Sequence, residues 1–370
     1  MQRRPSLASP VTVGLLLLLV ACGGPPNGGV PASTMVLKID TTLSPGTTVT
    51  LPLRGEVDVT VRWGDGHVGL VTEGGDLSHT YAAEGAYTVT VSGSLTQFGS
   101  GVEAYENSDK LTAVSAWGAL GLVSLAGAFR DAVHLTTVPA DLPPTVTDAS
   151  YLFRGATSFN QDIGGWDMGS VTNTWSMFHG ATSFDQDIGG WDTGNVTLAG
   201  YMFYQTVFNH DIGGWGVGNL TNMMLMFGSN DAFDQDIGGW DVGNVTNMHG
   251  VFSQATAFDQ DIGGWDVGNV RNMRYMFFMA RGFDRDIGGW DVANVTDMYR
   301  MFYAATAFDQ DIGGWNVANV SDMQDMFAYA ESFDQDLSGW CVTHITEEPP
   351  GFATGATAWV LPKPVWGTCP

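Results

Sequence analysis

Asp259-Gln260-Asp261-Ile262-Gly263-Gly264-Trp265-Asp266-Val267-Gly268-Asn269-Val270, followed by Met273 and the pair Met276-Phe277, is one copy of a unit that fills most of a 370-residue chain. Its tryptophans recur at Trp166, Trp191, Trp215, Trp240, Trp265, Trp290, Trp315 and Trp340, in steps of 25 residues with one step of 24 between Trp191 and Trp215. Phe203 to Phe208 is one residue shorter than Phe178 to Phe184, so the deletion falls in the turn after the Met-Phe pair. Trp117, twelve residues before Phe129, and Leu142, eleven before Phe153, mark two degenerate copies. About ten turns therefore run from residue 111 to 340. Units of this length cannot bury an apolar face alone, so neighbours must stack.

Within a unit, Ile262, Trp265 and Val267 follow the L-x-x-L-x-L spacing of a leucine-rich-repeat strand. Val245, Met248, Val251, Phe252 and Ala255 recur at about helical spacing, which predicts a short helix or 3₁₀ segment on the return. The expected fold is a leucine-rich-repeat-like solenoid, with one short strand and one short helix per turn. The tryptophan column is expected to be a stacked core ladder, and the Met-Phe column packs with it. The asparagines Asn195, Asn219, Asn244, Asn269, Asn294 and Asn319 are expected to bond backbone at a bend.

Ahead of the repeats, the alternation in Val57-Asp58-Val59-Thr60-Val61-Arg62-Trp63 and in Tyr87-Thr88-Val89-Thr90-Val91 predicts half-buried strands over residues 35–94. A connector at 95–110 would join them to the repeats. Trp63-Gly64-Asp65-Gly66, His79-Thr80-Tyr81 and Gly85-Ala86-Tyr87-Thr88-Val89 occur in order, and here the chain resembles a PKD-like module. That resemblance implies a small immunoglobulin-like β-sandwich used as a spacer or binding module at surfaces. Asp65, His67 and His79 offer metal-ligating chemistry, but Asp-Gly is a common tight turn and the turn reading is preferred.

The repeats resemble the BspA-like leucine-rich-repeat surface proteins, in the variant with 25-residue repeats ending Asn-Val-Thr-Asn-Met-x-x-Met-Phe. The resemblance covers about two-thirds of the chain. It implies exported, surface-attached proteins, some engaged in adhesion.

The N-terminus is read as an address. Arg3 and Arg4 precede the apolar run Val11–Val20, too short to span a bilayer, and Leu19-Val20-Ala21-Cys22 resembles a bacterial lipobox. Residues 1–21 would be a lipoprotein signal peptide, Cys22 the lipidated residue, and the Gly/Pro-rich 22–34 a tether. The partner there is the membrane, and the expected site is the cell envelope, exported and lipid-anchored at the outer membrane or cell surface. At the other end, residues 341–370 read as a cap over the last apolar turn. Cys341 and Cys369 are the two remaining cysteines, and an oxidising compartment predicts that they pair.

The formal charge is −25, from 39 acids and 14 bases. It excludes nucleic acid as a partner, because phosphate recognition needs clustered Lys and Arg. From Phe159 to Trp340 there are 24 acids and 5 bases, most of the acids in register. Asp234, Asp236 and Asp241, then Asp259, Asp261 and Asp266, then Asp284, Asp286 and Asp291 stand in like-charged columns. Two readings remain open: turn capping with screening, or Ca²⁺ as a cofactor, for which the fifth-position Asp and bidentate Glu of an EF-hand loop are lacking.

No G-x-S-x-G, phosphate loop or H-E-x-x-H is present and the histidines are scattered, so no enzyme is expected. The expected function is a lipid-anchored surface protein whose repeats bind extracellular proteins or glycans. The alternative is a structural envelope spacer, calcium-stabilised or not. Outward positions such as Leu225, His249, Arg274, Tyr299 and Gln324 differ sharply between otherwise near-identical turns, which favours a binding surface.

Overall fold

Residues 33–370 are described in the computed structural model. The signal run, Cys22 and nearly all of the tether lie outside the described residues. Strand β1 (Met35–Asp40) is followed by β2 (Thr48–Arg62), β3 (Val68–Val71), β4 (Gly75–Thr80), β5 (Ala86–Phe98) and β6 (Leu111–Trp117). They form one antiparallel sheet in the order β3-β2-β5-β1-β6, with β4 also on β2. Strand β2 is long enough to serve two partners: residues 48–53 pair with β4 and residues 59–62 with β3. The register against β5 slips between Arg54 and Val57, where Gly55 has φ +70°. Glycine accepts that conformation without strain and lets the strand bend. Leu37, Leu53, Val61, Trp63, Val89 and Val91 fill the core, in keeping with an immunoglobulin-like start.

The connector and first repeat do not divide where the sequence placed them. Residues 111–117 are β6, paired with β1, so they belong to the β-domain sheet. That sheet runs on into the repeats through parallel bridges Gln97–Ser124 and Ala113–Thr137. From there each coil of 24 or 25 residues, here called a rung, makes one parallel bridge to the next, from Ser124–Asp148 to Asp297–Asp322, beside further backbone hydrogen bonds.

The strand-plus-helix leucine-rich-repeat expectation is overturned. Among the described residues the one helical piece is the 3₁₀ turn Ser108–Lys110, and no rung carries a helix or an extended strand. Backbone hydrogen bonding gives the reason. In the rung from Asn272 to Phe283, Met276 N–H donates to Met273 O (3.2 Å), Phe278 to Tyr275 O (3.0 Å) and Ala280 to Phe277 O (3.1 Å). The alternate donors leave the rung: Met273 reaches Asp297 O (3.0 Å), Tyr275 reaches Tyr299 O (2.9 Å), Phe277 reaches Met301 O (2.9 Å) and Met279 reaches Tyr303 O (2.7 Å). An α-helix needs every N–H to point back along its own chain, and here half point to the neighbour. Left-handed φ at Tyr275 (55°) and Met279 (55°) breaks the helix twice per rung, and the same places carry it at Tyr201, Gln205, Arg300 and Ala304. A non-glycine residue there costs about 1–2 kcal/mol, offset by the cross-rung bonds it permits.

The expected strand is likewise two tight turns. Trp265 N–H donates to Ile262 O (3.1 Å) and Val270 to Val267 O (2.9 Å). The two glycines between Ile262 and Trp265 have different duties. A Cβ on the first glycine would strike backbone of the next rung, as at Gly213, where it would lie 2.6 Å from Asp236 O. A Cβ on the second, as at Gly264, meets nothing.

The stack is capped at both ends. Trp117 stacks on Phe129 (5.9 Å) and closes the first end from β6. At the far end, Phe333 meets Trp359 edge-on (4.8 Å) and Phe352 meets Trp366 edge-on (4.9 Å), where earlier rungs stack in parallel. Turning the rings edge-on ends the ladder without leaving an open face. Cys341 and Cys369 are disulfide-bonded in this cap, as the sequence predicts.

Candidate binding surface of the repeats

Each rung sends its side chains inward, to an acidic turn region, or to a variable outer face. The inward tryptophans Trp166, Trp191, Trp215, Trp240, Trp265, Trp290, Trp315 and Trp340 are at most 6% exposed. Neighbouring indoles lie nearly parallel, as for Trp215 and Trp240 (6.5 Å, 3°) and Trp315 and Trp340 (6.5 Å, 5°). From Trp191 to Trp340 each Nε1–H donates to an Ile carbonyl in the preceding rung, Trp265 to Ile237 O at 3.0 Å for example. The indole therefore has its polar edge satisfied while its faces fill the core.

The acids named from the sequence are all engaged by backbone amides. Asp236, Asp261 and Asp286 accept the N–H of Gly238, Gly263 and Gly288 at 2.9–3.0 Å. Asp241, Asp266 and Asp291 accept from Gly243, Gly268 and Ala293 at 3.0–3.2 Å. Asp234, Asp259 and Asp284 reach one rung on, to the N–H of Asp259, Asp284 and Asp309 at 2.9–3.0 Å. The asparagines also bridge rungs, as Asn269 Nδ2 does to Gly243 O at 2.7 Å. These are local caps and rung-to-rung ties.

The residues that could together hold a metal lie elsewhere. Among the described residues, the single group of three ligand atoms within 4.8 Å of one another is Asp65, His67 and His79. Asp65 Oδ2 is 3.0 Å from His67 Nδ1 and 2.8 Å from His79 Nε2, and its Oδ1 accepts the His67 N–H. Burial pushes the Asp65 carboxyl up, but the His67 amide and the two imidazoles outweigh it and hold it far below the ordinary carboxylate range. His79 stacks on Trp63 (4.7 Å), so the trio also clasps the β2–β3 turn to β4.

The outer face carries the differences between rungs. Three columns form it. Trp175, Met224, His249, Arg274, Tyr299 and Gln324 share one, in which the side chain of an Asn or Asp two residues earlier accepts each backbone N–H. Leu225, singled out with them in the sequence, falls in the next column beside Tyr275 and Arg300, where φ is positive. The third holds Arg130, Arg154, His179, Tyr204, Phe278 and Tyr303. Near one end of the repeats, Arg274 lies over Tyr299 (4.7 Å) and pairs with Asp297 (3.0 Å), while Arg300 lies over Tyr303 (5.3 Å) and pairs with Asp325 (2.9 Å). Nearer the other, Arg130, Tyr151, Arg154, Trp175, His179 and Tyr201 line a cleft of about 390 Å³. Sequence reading passed over this cluster, although Arg130 and Arg154 are the only Lys or Arg between residues 111 and 270.

A β-domain continuous with a capped stack of turns, constant inside and variable outside, defines an extracellular, surface-type repeat protein. Residues 123–237, 206–298 and 260–357 match the family described as Mycoplasma protein of unknown function, DUF285, and the chain belongs to that family. Residues 34–97 match the PKD domain. No curated protein matches the chain. Among the described residues, no helix is long and apolar enough to cross a membrane.

Proposed function

We infer that this is a lipid-anchored bacterial surface protein whose repeats bind proteins or glycans of another cell or of a matrix through the variable outer face. One observation carries the reading. Core columns repeat nearly unchanged, whereas the outer column runs Trp175, Gly200, Met224, His249, Arg274, Tyr299 and Gln324. Aromatic and Arg side chains are the types that dominate recognition surfaces. Acylation of Cys22 would supply the anchor, since two or more chains hold a protein stably on a membrane. Labelled palmitate should enter the wild-type chain and not a Cys22→Ser variant.

A screen of the full-length protein against matrix proteins and glycans tests the binding role. Saturable binding that Tyr299→Ala or Trp175→Ala weakens supports it. No binding across the panel leaves the spacer reading, which the unbroken rung-to-rung hydrogen bonding favours.

A further inference from the structure

Arg130, Arg154 and Trp175 line one cleft on the outer face. The chain carries a formal charge of −25, yet the only two Lys or Arg residues in the 160 positions from 111 to 270 face one cleft. Arg130 is well covered, its side chain 13% exposed. Its Nε pairs loosely with Asp131 Oδ2 (3.4 Å), while its Nη1 is buried with no hydrogen-bond partner. Buried guanidinium nitrogens are normally satisfied, so this guanidinium is under-partnered within the chain. Nη1 itself lies beneath the surface, and it is the exposed part of the side chain that faces the cleft. Among the described residues, Arg154 makes no ion pair. Burial, then the charges of Arg154 and Arg130, hold His179 down to about 4, so the imidazole is neutral beside two cations.

The walls are aromatic. Trp175 lies 5.6 Å from Tyr201, and Arg130 stands 6.0 Å over Tyr151. Gly200 makes room for this wall, because a Cβ there would overlap the Trp175 ring. The cleft, about 390 Å³, is far larger than an inorganic anion and falls in the range of small-molecule sites. It also offers no backbone ladder to a peptide: the N–H groups of Tyr151, Ser176 and Gly155 are spent on Trp175, Gly200 and His179 carbonyls. These features suit a polar ligand that bears a carboxylate and an apolar C–H ring face, the face resting on an aromatic ring while the charge meets forked guanidinium donors.

We propose that this cleft binds a carboxylated sugar, a uronic-acid-type residue of an acidic glycan, with Arg130 and Arg154 on the carboxylate and Trp175 against the ring. The proposal rests on the reading of the outer face as a binding surface and names the ligand class for one part of it.

Calorimetric titration of the full-length chain tests it, with a hexuronate oligosaccharide, the neutral glucose oligomer of equal length, and inorganic phosphate as probes. The uronate should bind saturably and the neutral oligomer should not. Affinity should fall about tenfold or more in Arg154→Gln, the loss of one charge-assisted contact. Trp175→Ala and Gly200→Ala should weaken it too, the second with both arginines in place, and each variant's melting temperature checks that it folds. The proposal is overturned by absence of uronate binding, by equal binding of the neutral oligomer or of phosphate, or by unchanged affinity in folded Arg154→Gln. Matrix binding without uronate binding would sink the cleft alone. Loss of both in the wild-type chain would sink the surface reading with it.

Discussion

The β-domain and the repeats both spend their backbone hydrogen bonds on neighbours, but they do so by different rules. In the sheet, β2 and β5 run extended for 15 and 13 residues and pair across long stretches. Along the return segment of a rung, such as residues 273–280, every second donor turns back on its own rung and the others cross to the next, while Thr246, Arg271 and Thr296 reach back to the preceding one. The sheet draws its core from strands distant in sequence, such as β1 and β6. A rung draws its core from itself and two neighbours. Stability in the repeats is therefore a sum of rung-to-rung terms, whereas the β-domain stands or falls as one sheet.

Removing one inward tryptophan is the strongest way to break that contrast. Trp265→Ala deletes a buried indole and its bond to Ile237 O, and should cost about 3–5 kcal/mol in denaturant unfolding. If rungs are coupled only to neighbours, the loss should register in exchange protection of adjacent rungs and leave β1–β6 protected. Opening the Cys341–Cys369 bridge comes next. The double Ala variant should lose about 3–4 kcal/mol on the loop-entropy model, with protection lost first from the cap.

The paired glycines sharpen the comparison at smaller scale. Gly263→Ala puts a methyl against the Asp286 carbonyl of the next rung and should cost about 1–3 kcal/mol. Gly264→Ala faces open space and should stay within about 0.5 kcal/mol. Equal effects would mean that rung spacing does not depend on the first glycine.

Acid should separate the two regions by pH. Burial first, then Arg154 and Arg130, hold His179 near 4, below its ordinary 6.5. The unfolded chain takes that proton first, so this part of the stability is full above about 6.5 and drains away as pH falls toward 4. His249 is lowered for the same first reason, with Arg274 second. Asp65 in the β-domain is held low instead, so its contribution is full above the ordinary carboxylate value of 3.8 and is lost only below it. Unfolding followed from pH 7 to 3 should show the repeats weakening first, and His179→Gln should flatten that slope. The smallest effect is expected from calcium: with the nine aspartates already accepting backbone N–H, millimolar Ca²⁺ should leave the melting temperature where matched ionic strength puts it.

Much of this molecule is legible in its residues. The 25-residue period, the PKD-like strands, the disulfide pair and the outer positions at His249, Arg274, Tyr299 and Gln324 all follow from spacing and chemistry along the chain. Two things were decided only in three dimensions. Val245, Met248, Phe252 and Ala255 are spaced as a helix would space them, yet a run of alternating turns gives the same spacing. The choice depends on where each N–H finds its acceptor, and for half of them that acceptor lies 24 or 25 residues away. The cleft is the second case. Arg130, Arg154 and Trp175 are scattered over three rungs and belong to no repeated motif, so only stacking brings them to one place. Local pattern fixes which side chains turn inward; contacts between rungs fix the backbone that carries them and the surface they build.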